Sequence, residues 1–125
     1  MTDCKPCPTP LPSNTRLSCL DGDPLSDPST YRSMVGGLQY VSLLRPDISF
    51  AVNQVCQFMH NPRSSHLQVV KRILWYIKGT IEQGLVFTSP MTSLYAIFSD
   101  ADWAGSTTGA CIFFGHNLLI WTAKK

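Results

Sequence analysis

Apolar residues keep a helical period through three successive stretches and then change to short blocks of strand formers. In the first stretch Tyr31, Met34, Val35, Leu38 and Val41 recur at three- and four-residue intervals, the spacing that places side chains on one helix face. Asp27-Pro28 ahead of it reads as an N-cap followed by proline at the first helical position. Pro46 pushes its predecessor out of the helical region, so this helix should end near Leu44. Gly36-Gly37 falls inside it at a cost of about 1 kcal/mol each relative to Ala, which predicts that another backbone approaches there. Pro46-Asp47 opens a second helix with the stripe Ile48, Ala51, Val52, Val55, Phe58, Met59. Asn53, Gln54 and Gln57 should face outward, and Asn61-Pro62 stops the helix. Ser64 or Ser65 should cap a third helix, with Leu67, Val70, Ile73 or Leu74, and Ile77 on its core face and Gly79 as a left-handed terminator. Its apolar stripe should pair antiparallel with that of the second helix across the short Pro62 loop.

Beyond Gly79 the period changes. Gly84–Thr88, Leu94–Ala101, Thr107–Phe114 and Leu118–Thr122 read as strands separated by short turns, which implies an antiparallel meander. One face of such a sheet needs cover, and the upstream helices are the elements able to supply it. Residues 1–26 show no hydrophobic period and carry Pro6, Pro8, Pro10, Pro12 and Pro24, so an extended, weakly ordered segment is expected.

Composition narrows the class. At 125 residues and 44% hydrophobic content the chain can bury a core. No apolar run reaches the ~18 residues a bilayer span requires, and the polar, Pro-rich start lacks a signal core. Five cysteines, Cys4, Cys7, Cys19, Cys56 and Cys111, are odd in number and scattered. Cys4 and Cys7 have half-site spacing, but no second pair follows at a fitting distance. Reduced thiols and an intracellular setting are expected. Net charge is only +2, yet between Asp47 and Asp100 the sole acid is Glu82, while Arg63, Lys71, Arg72 and Lys78 fall in that interval. The middle of the chain is therefore locally basic, as a phosphate-contacting surface or a solvated helix face would be.

Two constellations carry candidate chemistry. Lys71, Trp75 and Lys78 share one face of the third helix, and basic side chains around an aromatic suit a nucleic-acid backbone and base. A partly buried Trp between surface lysines fits the same spacing. Asp100 and Asp102 close the Leu94–Ala101 block, and residues two apart in a strand share a face. Paired carboxylates at a strand end can hold Mg²⁺ against a phosphate; Asp is equally at home in a polar turn. His60 and His66 flank the loop between the second and third helices with no acid or Cys pattern nearby, and read as loop and cap residues.

The order of several motifs resembles a known family. Tyr31-Arg-Ser-Met-Val-Gly-Gly-Leu-Gln-Tyr40, Arg45-Pro-Asp-Ile48, Cys56-Gln-Phe-Met-His60 with His66, Lys71-Arg-Ile-Leu-Trp-Tyr-Ile-Lys-Gly-Thr80 and Ser99-Asp-Ala-Asp-Trp-Ala-Gly105 resemble the Pol polyprotein of copia-type LTR retrotransposons over nearly the whole chain. The resemblance implies an α+β architecture in three parts. Residues 1–30 would be a Pro-rich linker at the tail of the reverse transcriptase region, and 31–80 a three-helix connection. Residues 81–125 would be the antiparallel meander that begins an RNase H-like fold. RNase H cleaves the RNA strand of an RNA–DNA hybrid with four carboxylates around two metal ions. Asp100 matches the first of these and is expected as a vestigial catalytic and metal-ligand position; no such role is carried onto Asp102.

Two departures shape the expected function. Relatives carry a polar insert between Ala104-Gly105 and Ser106-Thr-Thr-Gly109, which this chain lacks. They also continue beyond its last residue into the helix bearing the catalytic Glu, and carry the reverse transcriptase Asp pair upstream. The expectation is a catalytically incomplete Pol fragment with no cofactor of its own, Mg²⁺ serving the intact family. Residual binding of RNA–DNA hybrid or single-stranded nucleic acid would run through Arg63, Lys71, Trp75 and Lys78. The alternative is a metal-dependent RNase H-type nuclease completed by another chain or a longer isoform. Neither membrane association nor a particular oligomeric state is implied.

Overall fold

The computed structural model describes residues 7–12, 17–89, 94–101 and 108–124. Three helices precede three strands: α1 Pro28–Ser42, α2 Pro46–Cys56, α3 Ser64–Gly79, β1 Tyr95–Ala101, β2 Thr108–Phe114 and β3 Asn117–Lys124. No helix among the described residues is long and apolar enough to cross a membrane.

The helices form where the apolar period places them. Asp27 caps α1, its carboxylate accepting from the Ser29 N–H at 2.9 Å and from the Ser29 and Thr30 hydroxyls. These bonds hold it below the usual carboxylate range. Tyr31, Val35 and Leu38 of α1, Ile48, Ala51, Val52 and Val55 of α2, and Val69, Val70 and Ile73 of α3 make one buried cluster. The helix pair expected between α2 and α3 forms, with Val52, Val55, Phe58 and Val70 buried, and α1 packs on both. The Tyr31 hydroxyl donates to the Val55 carbonyl at 2.7 Å, and burial pushes its pKa well above that of a free tyrosine. Arg32 donates to the Met59 and His60 carbonyls, satisfying the turn that follows α2.

Five local expectations are corrected. Nothing lies within 4 Å of where a Cβ would sit on Gly36 or Gly37, so the pair does not mark a close approach. Gly79 ends α3 without a left-handed conformation; the C-cap is Thr80, whose N–H bonds the Ile77 carbonyl. Gln54 is buried, because on α2 it flanks Ala51 at the edge of the apolar stripe. The N-cap of α3 is Arg63, since the Ser64 and Ser65 hydroxyls turn away to bond residues 21–23. Gly84–Thr88 forms no strand. An apolar block needs a neighbour to ladder with, and Thr88 instead bonds the side chain of Asn117 through both its N–H and its carbonyl.

Residues 17–25 are held rather than loose. Pro24 bridges to Arg63, Leu25 N–H reaches Pro62 O, and Ser64 N–H reaches Asp23 O at 2.9 Å. Gly22 adopts φ +81°, and a Cβ there would lie 2.5 Å from Ser64 Oγ, so glycine is required twice over. Leu17 and Leu25 pack against the core.

The sheet is an antiparallel meander in the order β1-β2-β3. Phe98 pairs with Cys111 and Asp100 with Gly109, then Cys111 with Trp121 and Gly109 with Ala123. Gly115, at φ +59°, makes the tight turn between β2 and β3. Helix packing on the sheet is through α2, which packs on β3, while among the described residues α3 makes no close backbone approach to a strand. Trp121 Nε1 donates to Ser42 O at 3.0 Å, and Asn53 Nδ2 donates to Ala123 O. β1 is left with Tyr95, Ile97 and Phe98 exposed.

Candidate functional site

α3 carries the basic stripe. Its buried face is Val69, Val70 and Ile73, so the helical period turns Lys71, Trp75 and Lys78 elsewhere. Lys71 and Trp75 are half-buried and Lys78 is exposed. The Trp75 indole N–H is shielded from solvent and has no hydrogen-bond partner, as has Nε of Arg72. Arg72 reaches the Thr9 hydroxyl at 3.0 Å. Arg63 stands one residue before α3. Its Nη1 donates to the carbonyls of Leu20 at 3.3 Å and Gly22 at 2.8 Å, so it holds the 17–25 segment as well as lying at the end of the stripe.

His66 shares that clamp. It is fully buried, stacks on Phe58 at 3.9 Å between centroids, and accepts the Arg63 N–H on Nδ1 at 3.1 Å. This leaves the ring proton on Nε2, which faces Ser18 O at 3.0 Å. The reading of His66 as a cap residue agrees with this geometry.

Asp100 sits on a different element. It is exposed on β1, opposite Gly109, beside an open cavity of about 390 Å³ between β1, β2, β3 and the start of α2. That cavity is lined by Phe98, Cys111, Phe113, Trp121, Pro46 and Ser49 and by no second carboxylate. Among the described residues no three His, Cys, Asp or Glu side chains gather where a metal could bind. Among the described residues the surroundings of Asp100 thus offer one carboxylate and hydroxyls, fewer hard ligands than a two-ion site needs. Asp102 and Trp103 lie outside the described residues. The stripe lies on α3 and Asp100 on β1, and among the described residues these two elements make no close backbone approach.

Among the described residues there is also a polar cluster that residue spacing did not single out. Arg45, 7% exposed, forms a two-pronged ion pair with Asp47 at 2.9 and 2.7 Å. Its remaining hydrogens go to Thr80 O, Thr80 Oγ1 and Gln83 O. Tyr76 donates to Asp47 at 2.8 Å. The Arg45 guanidinium holds the Asp47 carboxyl below its usual range, and Asp47 pushes the Tyr76 hydroxyl up. This node fixes the chain leaving α3 to the start of α2.

The chain is 44% identical over 131 aligned residues to the retrovirus-related Pol polyprotein from transposon RE1 of Arabidopsis thaliana, covering all of this chain and 9% of that protein. It is 47% identical over 131 residues to an uncharacterized mitochondrial protein of the same plant, covering all of this chain and 54% of that protein. To the Pol polyprotein from transposon TNT 1-94 of Nicotiana tabacum it is 36% identical over 141 residues, 99% of this chain and 10% of that protein. The chain belongs to the copia-type retrotransposon Pol family. It spans about half the length of one of these relatives and about a tenth of the Pol polyproteins. The aligned stretches exceed its own 125 residues, so the relatives carry residues it lacks. No family model matches it, and no solved structure does.

Within this copia-type chain, a sequence signal for the Arg45 node was present. Arg45-Pro-Asp47 places a cation and an acid two residues apart at a proline-started helix, and its partners Tyr76 and Thr80 sit one turn apart at the far end of α3. What no spacing revealed is that the two helix ends meet.

Proposed function

We propose that these 125 residues form the connection and the first strands of an RNase H-like region of copia-type Pol, bind nucleic acid without sequence preference through α3, and do not cleave it. The observation that carries the binding reading is the Lys71–Trp75–Lys78 stripe. It lies on the side of α3 turned away from the buried face, in a stretch whose only acid is Glu82. Ammonium groups there neutralise phosphates and release counterions, while the Trp75 ring offers a stacking surface. The reading without cleavage is one of ligand counting. Two Mg²⁺ ions at a phosphodiester need several hard oxygen ligands, and these residues offer Asp100 and Asp102 with no acid after them.

Both parts are tested on the purified chain. In gel shifts or fluorescence anisotropy with a labelled duplex, log affinity should fall against log salt with a slope of roughly −3 for three to four phosphate contacts. Lys71→Glu with Lys78→Glu should weaken binding most. Binding indifferent to salt, or to that double change, refutes the stripe. With a labelled RNA–DNA hybrid and Mg²⁺ or Mn²⁺, wild type and Asp100→Asn should give the same absence of product. Cleavage by wild type that Asp100→Asn abolishes would replace this reading with a nuclease completed by a second chain.

A further inference from the structure

Trp75 is covered on the side of α3 that is turned away from the buried cluster. At about 100° per residue it stands about 120–160° around the helix from the buried Val69, Val70 and Ile73. A side chain placed there should be bare. Trp75 is instead half-buried, and its indole N–H is shielded without an acceptor. Arg72, one turn earlier, is half-buried too, with its Nε in the same condition. Residues 7–12 lie on this flank. The Thr9 hydroxyl accepts from Arg72 Nη2 at 3.0 Å, and Leu11 packs against the core cluster. Residues 17–25 are tied by backbone bonds, Ser64 N–H to Asp23 O and Leu25 N–H to Pro62 O. Thr9 and Leu11 hold their segment by a hydroxyl and an isobutyl group.

We infer that residues 7–12 are a displaceable cover on the stripe, and that nucleic acid engages α3 by lifting it. The inference rests on the reading of α3 as the nucleic-acid face. A ring stacks on a base only through an open face, and Lys71 beside Trp75 is half-buried as well. Shielded donors without acceptors disfavour the covered state. Lifting the segment returns the Trp75 and Arg72 N–H groups to water and bares the ring. The cover is thus an internal competitor, and apparent affinity falls in proportion to the fraction of chains that are open.

Variants of the whole chain that loosen the cover test this, with far-UV CD and melting curves confirming that each is folded. Thr9→Ala with Leu11→Ser should bind a labelled single-stranded oligonucleotide about threefold to tenfold more tightly than wild type. Thr9→Ala alone, on an exposed residue, should tighten it about twofold. The salt slope should stay that of wild type, because the bound state and its phosphate contacts are the same. In wild type, saturating oligonucleotide should speed alkylation of half-buried Cys7 by a neutral reagent about threefold or more, and leave Cys56 on α2 unchanged. Binding by the double variant that is unchanged or weaker overturns the inference. So does a steeper slope, or a Cys7 rate indifferent to the oligonucleotide. None of these three outcomes refutes the stripe, which Lys71→Glu with Lys78→Glu decides by itself. If that pair of changes leaves binding intact, or if neither wild type nor the loosened variants bind, both readings fall.

Discussion

Replacing Asp47 with Asn tests the node that ties α2 to the chain leaving α3. The amide keeps the shape and one acceptor but removes the charge. Arg45 would be left with a side chain 9% exposed and no counter-ion. Breaking a fully buried ion pair costs 3–5 kcal/mol, while an exposed pair is worth about 0–1 kcal/mol. Asp47 is 35% exposed, so solvent screens part of the loss, and Thr80 and Gln83 still accept from Arg45. A cost of about 2 kcal/mol follows, which for a chain of this size lowers Tm by about 6–10 °C. The pH dependence separates charge from packing. The Asp47 carboxyl is depressed chiefly by Arg45, with burial opposing. Its contribution is therefore complete above the unfolded value of 3.8 and is lost as pH falls through the lower folded value. Thermal melts followed by CD should show the full difference at neutral pH, closing in strong acid. An Asp47→Asn protein that melts with wild type at neutral pH, or a difference unchanged in strong acid, refutes the electrostatic account.

Other outcomes follow from the same packing. Val55→Asp buries a carboxylate in the cluster shared by the three helices and should abolish cooperative melting, since several kcal/mol is comparable with the stability of a small domain. His66→Ala removes the acceptor for Arg63 N–H and the donor to Ser18 O; proteases should then cut within residues 17–25 while α1–α3 persist. Cys56, half-buried with its thiol pushed up by burial, should alkylate more slowly than exposed Cys19, and labelling mapped by mass spectrometry checks the order. Arg63→Ala should lower Tm more than it lowers nucleic-acid affinity, whereas Lys71→Glu with Lys78→Glu should do the reverse; two parallel losses would contradict the assignment of Arg63 to the clamp.

What could be read from the chain is what local spacing determines. Tyr31, Val35 and Leu38 are buried because 3.6 residues make a turn, and that period is visible without a fold. Asp27-Pro28 and Pro46 start helices through their own backbone restrictions. The meander was legible because its strands follow one another through short turns. Several of the misreadings share a physical cause, in that the outcome was decided by neighbours distant in sequence. Proline content suggested a loose start, but Arg63, Ser64 and Ser65 hold residues 20–23 from more than forty residues away. Gly84–Thr88 has the composition of a strand and no ladder to join. Gln54 is polar, yet its place on α2 buries it.

The same distinction divides the candidate site. Lys71, Trp75 and Lys78 lie together because four- and three-residue steps on a helix require it, so their grouping needed no tertiary information. Arg63 caps the start of the same helix, but the carbonyls of Leu20 and Gly22 decide what its guanidinium does. A phosphate could recruit it only by competing with two hydrogen bonds already made. A lysine differs in kind: its ammonium is a point charge on a flexible stem that can swing to meet a phosphate. Nucleic-acid affinity should therefore concentrate on the lysines, while the arginines of this surface, Arg63 and Arg72, hold the polypeptide that crosses α3. Asp100 was legible as a strand residue by alternation, but a metal site is a property of several elements converging. Its convergence partners are what the described part of this chain does not place around it.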